Sequence, residues 1–235
     1  MIRRLLPALL VLAIPAGLRA QAYQCSVPER LLRPVAEGPS VREPRRVVPI
    51  GGYTLALIWS PESCRGRSGD TALACGGGNR FGFTLHGLWP DGRGATWPQY
   101  CASAPLLSER VIRQNLCATP SVQLLQHEYA KHGTCMGMPP AAYFSRATGL
   151  YRAVRYPDMA TLAARRNLTA GQFAAAFARV NPGMTADMVR PRLNRRGWLE
   201  EVWVCLDTNF RQRRCPRSGT ASSAAVRIEP PRRGR

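Results

Sequence analysis

All eight cysteines of this 235-residue chain lie beyond residue 24: Cys25, Cys64, Cys75, Cys101, Cys117, Cys135, Cys205 and Cys215. What precedes them reads as a secretory signal. Arg3 and Arg4 give a basic start, Leu5 to Ile14 is apolar apart from Pro7, and Ala20-Gln21-Ala22 is a small-x-small cleavage site. Cleavage is expected after Ala22, with Ala20 as the alternative. The apolar run is shorter than the roughly 20 residues of a membrane span, and no later stretch qualifies. An exported chain with eight thiols is expected to carry four disulfides. No Cys-x-x-Cys pair occurs, which disfavours a zinc ribbon or a redox motif. Eight cysteines allow roughly a hundred pairings. Cys64 with Cys75 and Cys205 with Cys215 are the easiest local loops. The division expected is a signal over 1–22, one domain over 23–215 with a sizeable core, and a basic tail. That tail, 216–235, is rich in Arg, Pro and Ser and is predicted to be disordered.

The formal net charge is +19, and +16 once Arg3, Arg4 and Arg19 leave with the signal. Such a surplus attracts polyanions through a long-range, salt-screened field. A genome that prefers arginine codons would give the same surplus, and anionic lipids or bacterial surfaces would be attracted equally. Charge alone therefore points only weakly to nucleic acid.

Residues 23–50 show no period and read as an extended, partly pinned arm. Tyr53 to Trp59 alternates as a strand, with Tyr53, Leu55, Leu57 and Trp59 on one face. Phe81 to His86 is a second strand, ended by Gly87 and Pro90. Leu106 to Leu116 is a short helix. Thr119 then caps a helix that runs from Ser121 to Gly133, the expected C′ residue. Further helices are expected near 139–154 and 169–179, and a strand over Leu199 to Leu206.

The chain has three histidines and one lysine, and all four lie in two short segments. His86 sits in Phe83-Thr84-Leu85-His86-Gly87-Leu88-Trp89-Pro90. The others sit in His127-Glu128-Tyr129-Ala130-Lys131-His132-Gly133-Thr134-Cys135. On a helix with His127 at zero, Lys131 falls at about 40°, Glu128 at about 100° and His132 at about 140°. One sector thus presents acid, base and cation together. A metalloprotease helix needs His-Glu-x-x-His; the i,i+5 spacing here splays the rings, and Lys131 adds a positive charge beside any metal. We therefore expect no metal site and no cofactor. A purely structural role suits one histidine better than three beside a glutamate and the sole lysine. No Gly-x-Ser-x-Gly elbow suggests a serine triad. Two histidines flanking a phosphodiester fit best: one takes the proton of a ribose 2′-OH, the other protonates the departing 5′-oxygen, and Lys131 stabilises charge on the phosphorane. Because the nucleophile is the 2′-OH, RNA and not DNA is the expected substrate.

Both segments resemble the two active-site segments of the T2 ribonucleases, and they occur in that family's order. The resemblance extends to Tyr53 to Cys64, to Trp97-Pro98-Gln99-Tyr100-Cys101 and to Glu201 to Asp207, so it spans about 50–216. It implies an α+β fold, a central antiparallel sheet flanked by helices and stapled by disulfides. It implies His132 as base and His86 as acid in the first step, with Glu128 and Lys131 stabilising the intermediate and His127 binding phosphate. Trp89, Asp91 and Trp97 would form a base-binding site; a tyrosine often stands at the position of Trp97. Base stacking implies low base specificity. Cys101 would pair with Cys135, and Cys64–Cys75 and Cys205–Cys215 fit as local bridges, which leaves Cys25–Cys117. The activity implied is transesterification to 2′,3′-cyclic phosphate ends, then hydrolysis to 3′-phosphates, by a monomer in the periplasm or outside the cell. The alternatives are a cationic protein that binds nucleic acid or anionic surfaces without cutting, and a ribonuclease used as a toxin.

Overall fold

The computed structural model describes residues 22–65, 73–76, 78–216 and 219–231. Residues 1–21, and with them all but the last residue of the expected signal, lie outside the described residues. Along the chain come β1 (Ala22–Gln24), β2 (Ile50–Trp59), α1 (Ser60–Ser63), β3 (Arg80–Phe81) and β4 (Phe83–Gly92). They are followed by α2 (Glu109–Asn115), α3 (Val122–Lys131), α4 (Pro140–Ala153), α5 (Met159–Ala163), α6 (Ala170–Val180), β5 (Val189–Leu193) and β6 (Leu199–Leu206). The strands β4-β2-β6-β5, in that order, form an antiparallel sheet, and β1 pairs with β3. Leu55 and Leu57 of β2, Phe83 and Leu85 of β4 and Val202 and Val204 of β6 meet Leu125 of α3, Tyr143 of α4 and Phe173 and Phe177 of α6 in one buried cluster. Each such side chain contributes about 1.5–3 kcal/mol on burial. The expected α+β sheet with flanking helices is the architecture that forms.

Local chemistry sets the boundaries, and three differ from expectation. Strand β4 runs on through Gly87 and Pro90 to Gly92. It is an edge strand, where a proline costs no ladder donor. Helix α3 is capped by Ser121, whose hydroxyl accepts from the Leu124 N–H at 3.2 Å. Thr119, the expected cap, instead donates its hydroxyl to the Leu85 carbonyl at 2.8 Å. Gly133 does not terminate α3 in the left-handed region. It opens a 3-10 turn over Gly133–Met136, and Gly137 takes the positive φ of 64°. Gly133 is needed for packing, since a Cβ there would lie 2.5 Å from the Tyr129 ring.

Disulfides join Cys25 to Cys117, Cys64 to Cys75, Cys101 to Cys135 and Cys205 to Cys215. The third locks the end of α3 to the loop after Trp97. The expectation of a disordered tail fails for residues 219–231. Val226 and Ile228 are buried. The Val226 N–H reaches the Leu168 carbonyl, the Leu199 N–H reaches the Arg227 carbonyl, both at 2.8 Å, and the Trp59 indole donates to the Glu229 carbonyl at 2.9 Å. Two apolar residues two positions apart suffice to seat the segment, although the composition around them is polar.

Candidate active site

The sheet register aims the first histidine. Gly87 pairs with Ala56 and Leu85 with Leu57, so His86 is the extra residue of a β-bulge. On this edge strand the Leu85 N–H donates to the Ala118 carbonyl at 2.8 Å and its carbonyl accepts from the Thr119 hydroxyl, tying β4 to the loop before α3. Gly87 then lies against helix α3 so closely that a Cβ would fall 1.8 Å from Glu128 Oε2. Glycine is what lets the strand and the helix carboxylate share this space.

A pocket of about 430 Å³ opens there, lined by Thr54, His86, Trp89, Pro90, Asp91, Trp97, His127, Glu128, Lys131, His132 and Trp203. All eight residues singled out as candidate catalytic, phosphate-binding or base-binding groups are in it. Glu128 is fully buried, accepts from the Trp89 indole at 2.7 Å and stands 3.5 Å from His86 Nε2. The Trp89 ring is stacked against His132 (centroids 5.4 Å apart) and meets His86 and Trp203 edge-on at 5.0 and 5.3 Å. It therefore braces both imidazoles. Asp91 accepts from the Thr54 hydroxyl at 2.9 Å. Trp97 is 48% exposed, and the Arg46 guanidinium lies 5.4 Å from its ring centroid.

Three carboxylates that sequence reasoning did not select touch this set. Glu201 of β6 meets His86 Nδ1 at 2.6 Å, and its other oxygen accepts from the Trp203 indole at 2.6 Å. From the arm, Glu37 meets His127 Nδ1 at 2.6 Å and Glu43 meets Lys131 Nζ. No local sequence signal marks them, because each contact spans strands or elements far apart in the chain.

The electrostatics divide the two central histidines. Burial alone would lower His86, but the hydrogen bond to Glu201 and the charges of Glu128 and Glu201 outweigh it, and the group is raised. His132 is held well below its ordinary value, first by burial and then by the positive charges of Lys131, His127 and His86. Its Nδ1 is buried and, among the described residues, without a hydrogen-bond partner. Burial also raises Glu128, against the opposing pull of His86 and the Trp89 indole. Glu201 is lowered: its hydrogen bond and charge contact with His86 overcome the opposing effect of burial. The pocket thus pairs an imidazole biased toward its charged form with one biased toward neutrality.

A sequence model of the Ribonuclease T2 family matches residues 50–215. The chain is 28% identical over 180 residues to a probable ribonuclease of Haemophilus influenzae, covering 71% of this chain and 61% of that protein. It is 30% identical over 161 residues to a ribonuclease of Aeromonas hydrophila, covering 66% of this chain and 71% of that one. The aligned region thus spans about three fifths of the Haemophilus relative. Among solved structures, trichomaglin, an S-like ribonuclease, superposes with a TM-score of 0.60 at 22% identity, covering 77% of this chain and 98% of its own. RNase NT, solved with 5′-AMP, superposes at 0.55 and 22% identity, covering 78% and 99%. With both histidine segments inside a match that takes in most of its length, the chain belongs to the ribonuclease T2 family.

Proposed function

We propose that the protein is an endoribonuclease that cleaves single-stranded RNA by transesterification, with His132 and His86 as base and acid. The observation that carries this reading is the opposite bias of two imidazoles in one pocket. A neutral His132 can accept the 2′-OH proton while a charged His86 can give one up. In the first step the 2′-oxygen bonds to phosphorus and its proton passes to His132. The P–O5′ bond breaks, and the departing oxygen takes a proton from His86. The product ends are a 2′,3′-cyclic phosphate and a 5′-OH. Water then opens the cyclic ester with the roles reversed, leaving a 3′-phosphate and restoring both histidines.

The other groups fit around that exchange. Lys131 and His127 supply positive charge for the non-bridging oxygens, which become more negative in the transition state. Glu128, raised by burial, donates a hydrogen bond to the same oxygens when protonated. Glu201 is a positioning residue: it fixes the His86 tautomer through Nδ1 and stabilises its charge. The reaction calls for no metal, since the cationic charge comes from side chains. Trp89, Asp91 and Trp97 hold a base, and stacking makes the preference among bases broad. The signal and the four disulfides suit an oxidising compartment, so we assign the protein to the periplasm or the extracellular space, as a monomer.

The test is digestion of RNA and of DNA by the mature protein in EDTA, with product ends read by phosphorus NMR. RNA should be cut to cyclic phosphate ends, DNA should survive, and His86→Ala and His132→Ala should each lose cleavage while still binding RNA. Cleavage that survives both substitutions, or binding without cleavage by the wild type, would leave a cationic binder as the better reading.

A further inference from the structure

The arm before β2 lies ahead of the matched segment, yet it reaches into the pocket. It is pinned at both ends, by Cys25–Cys117 and by entry into β2 at Ile50. Along its course the Ser26 N–H donates to Asn79 at 2.6 Å, and Arg113 donates to the Pro28 carbonyl at 2.9 Å. Gln123 of α3 clamps the middle. Its amide accepts from the Val35 N–H at 2.8 Å and donates to the Val35 carbonyl at 3.1 Å and to Glu37 Oε1 at 2.5 Å. Further on, Arg46 and Gln99 exchange backbone hydrogen bonds at 2.9 Å, and Gln99 donates to the Pro44 carbonyl at 2.7 Å. This strap crosses the face of α3 that carries His127 and Lys131.

Its two acids fall on His127 and Lys131. Glu37 Oε2 is 2.6 Å from His127 Nδ1, and Glu43 Oε1 accepts from Lys131 while its Oε2 accepts from the Tyr100 hydroxyl at 3.3 Å. Arginine abounds as an alternative partner, with five within residues 23–50 alone. The carboxylates nevertheless meet the chain's only lysine and one of its three histidines. A carboxylate against an ammonium or an imidazolium occupies the place that a phosphate oxygen would take.

We propose that Glu37 and Glu43 are specificity-determining residues: an internal anion pair that makes the site select many-phosphate RNA over dinucleotides, mononucleotides and free phosphate. This rests on the phosphate-binding role read above for His127 and Lys131. A carboxylate on a strap fixed at both ends competes at an effective concentration of millimolar or more. A ligand with one phosphate must displace it with little else to gain. A polymer brings further phosphates and bases to groups outside the reacting centre, such as Arg46 beside Trp97 and Arg192, whose guanidinium lies 4.5 Å from the Trp203 ring. The partly exposed pairs that must be broken are individually weak, so RNA can open them.

The experiment compares wild type with the double variant E37Q/E43Q, measuring kcat and KM on long single-stranded RNA and on a dinucleoside monophosphate, and inhibition by inorganic phosphate. We expect the preference for long RNA to narrow roughly tenfold and phosphate inhibition to tighten by a similar factor, as for two weak ion pairs removed. Gln123→Ala, which loosens the strap and leaves every charged group in place, should shift both in the same direction by about half that on a logarithmic scale. An unchanged preference and unchanged phosphate inhibition in both variants would overturn the proposal. A fall in kcat on both substrates alike would also overturn it, since the acids would then be positioning His127 and Lys131. Wild type that fails to cut RNA at all would instead sink the ribonuclease reading, and the two failures are thereby kept apart.

Discussion

The two central histidines sit in opposite kinds of surroundings. His86 stands on a bulged edge strand, between the carboxylates of Glu201 and Glu128. His132 caps the C-terminus of α3, is 6% exposed, and has Lys131, His127 and His86 as its charged neighbours. One imidazole is surrounded by acids and the other by cations, and a single tryptophan touches both. The difference teaches that division of labour between two chemically identical side chains is set by their neighbours and burial, here through a carboxylate two strands over and a lysine one residue away. In the proposed reaction this sets the pH range: the acid limb of kcat/KM belongs to His132 and the basic limb to His86.

The largest effect expected is from the histidines themselves. Replacing either by alanine removes one proton transfer, which typically contributes about 10²–10⁴-fold, and should lower kcat by that much. His86→Ala should also remove the basic limb of the pH profile and His132→Ala the acid limb. If each residual activity kept the wild-type limbs, the assignment of acid and base would be wrong.

Glu201→Gln attacks one side of the comparison. It keeps the shape and an acceptor but removes the charge that raises His86. The imidazolium is then lost at lower pH, so the basic limb should move acidward, with kcat falling roughly tenfold, in line with losing a charged hydrogen-bond partner. A profile that scales without moving would mean that Glu201 does not act through His86. Stability offers a second view, and the signs oppose each other. The raised pKa of His86 adds stability that is fully present below its unfolded pKa of about 6.5 and is lost as pH rises through the folded value. The margin of wild type over Glu201→Gln should therefore shrink as pH rises past neutrality. The lowered pKa of His132 acts the other way. Below about 6.5 the unfolded chain binds a proton that the native site refuses. Wild type should then lose its margin over His132→Ala by up to about 1.4 kcal/mol per pH unit as the medium is acidified. Equilibrium denaturation of the three proteins between pH 5 and pH 8 (roughly the range in which unperturbed histidine titrates) reads both slopes, and parallel curves would refute the contrast.

Much of this frame is legible in the chain. The alternation in β2, the residues at the start of α6 and the two histidine segments are local patterns, and local patterns survive folding. The Thr169 cap with Gln172 three residues on is such a case. What does not read out depends on pairing at a distance. The bulge at His86 exists only because β4 and β2 slip by one residue between Ala56 and Leu57. Glu201 reaches His86 only because β6 lies one strand beyond β2. Glu37 and Glu43 sit in an arm without periodicity, about 90 residues from the cations they meet. Thr119 is a sound cap by type, but the edge strand β4 brings the Leu85 carbonyl within reach of its hydroxyl. Composition misleads at the tail, where Val226 and Ile228 anchor a segment that looks too polar to pack.

The smallest effect expected tests how far the His86 surroundings extend. Trp203 donates its indole N–H to Glu201 Oε2, lines the pocket and meets Trp89 edge-on. Trp203→Phe removes the donor and keeps most of the aromatic surface. Glu201 then loses the hydrogen bond that holds its other oxygen while it contacts His86 Nδ1. A hydrogen bond to a charged group contributes about 1.5–3 kcal/mol, but this one bears on His86 only at one remove, through Glu201, so kcat should fall by only a few fold. Glu201, less well held as an anion, should raise His86 less, and the basic limb should move acidward by less than in Glu201→Gln. In the double variant Glu201→Gln/Trp203→Phe the two losses should not add, because the indole acts on His86 only through the carboxylate. Full additivity would place Trp203 in direct contact with substrate instead, and would confine the electrostatic division between the histidines to Glu201 and Glu128.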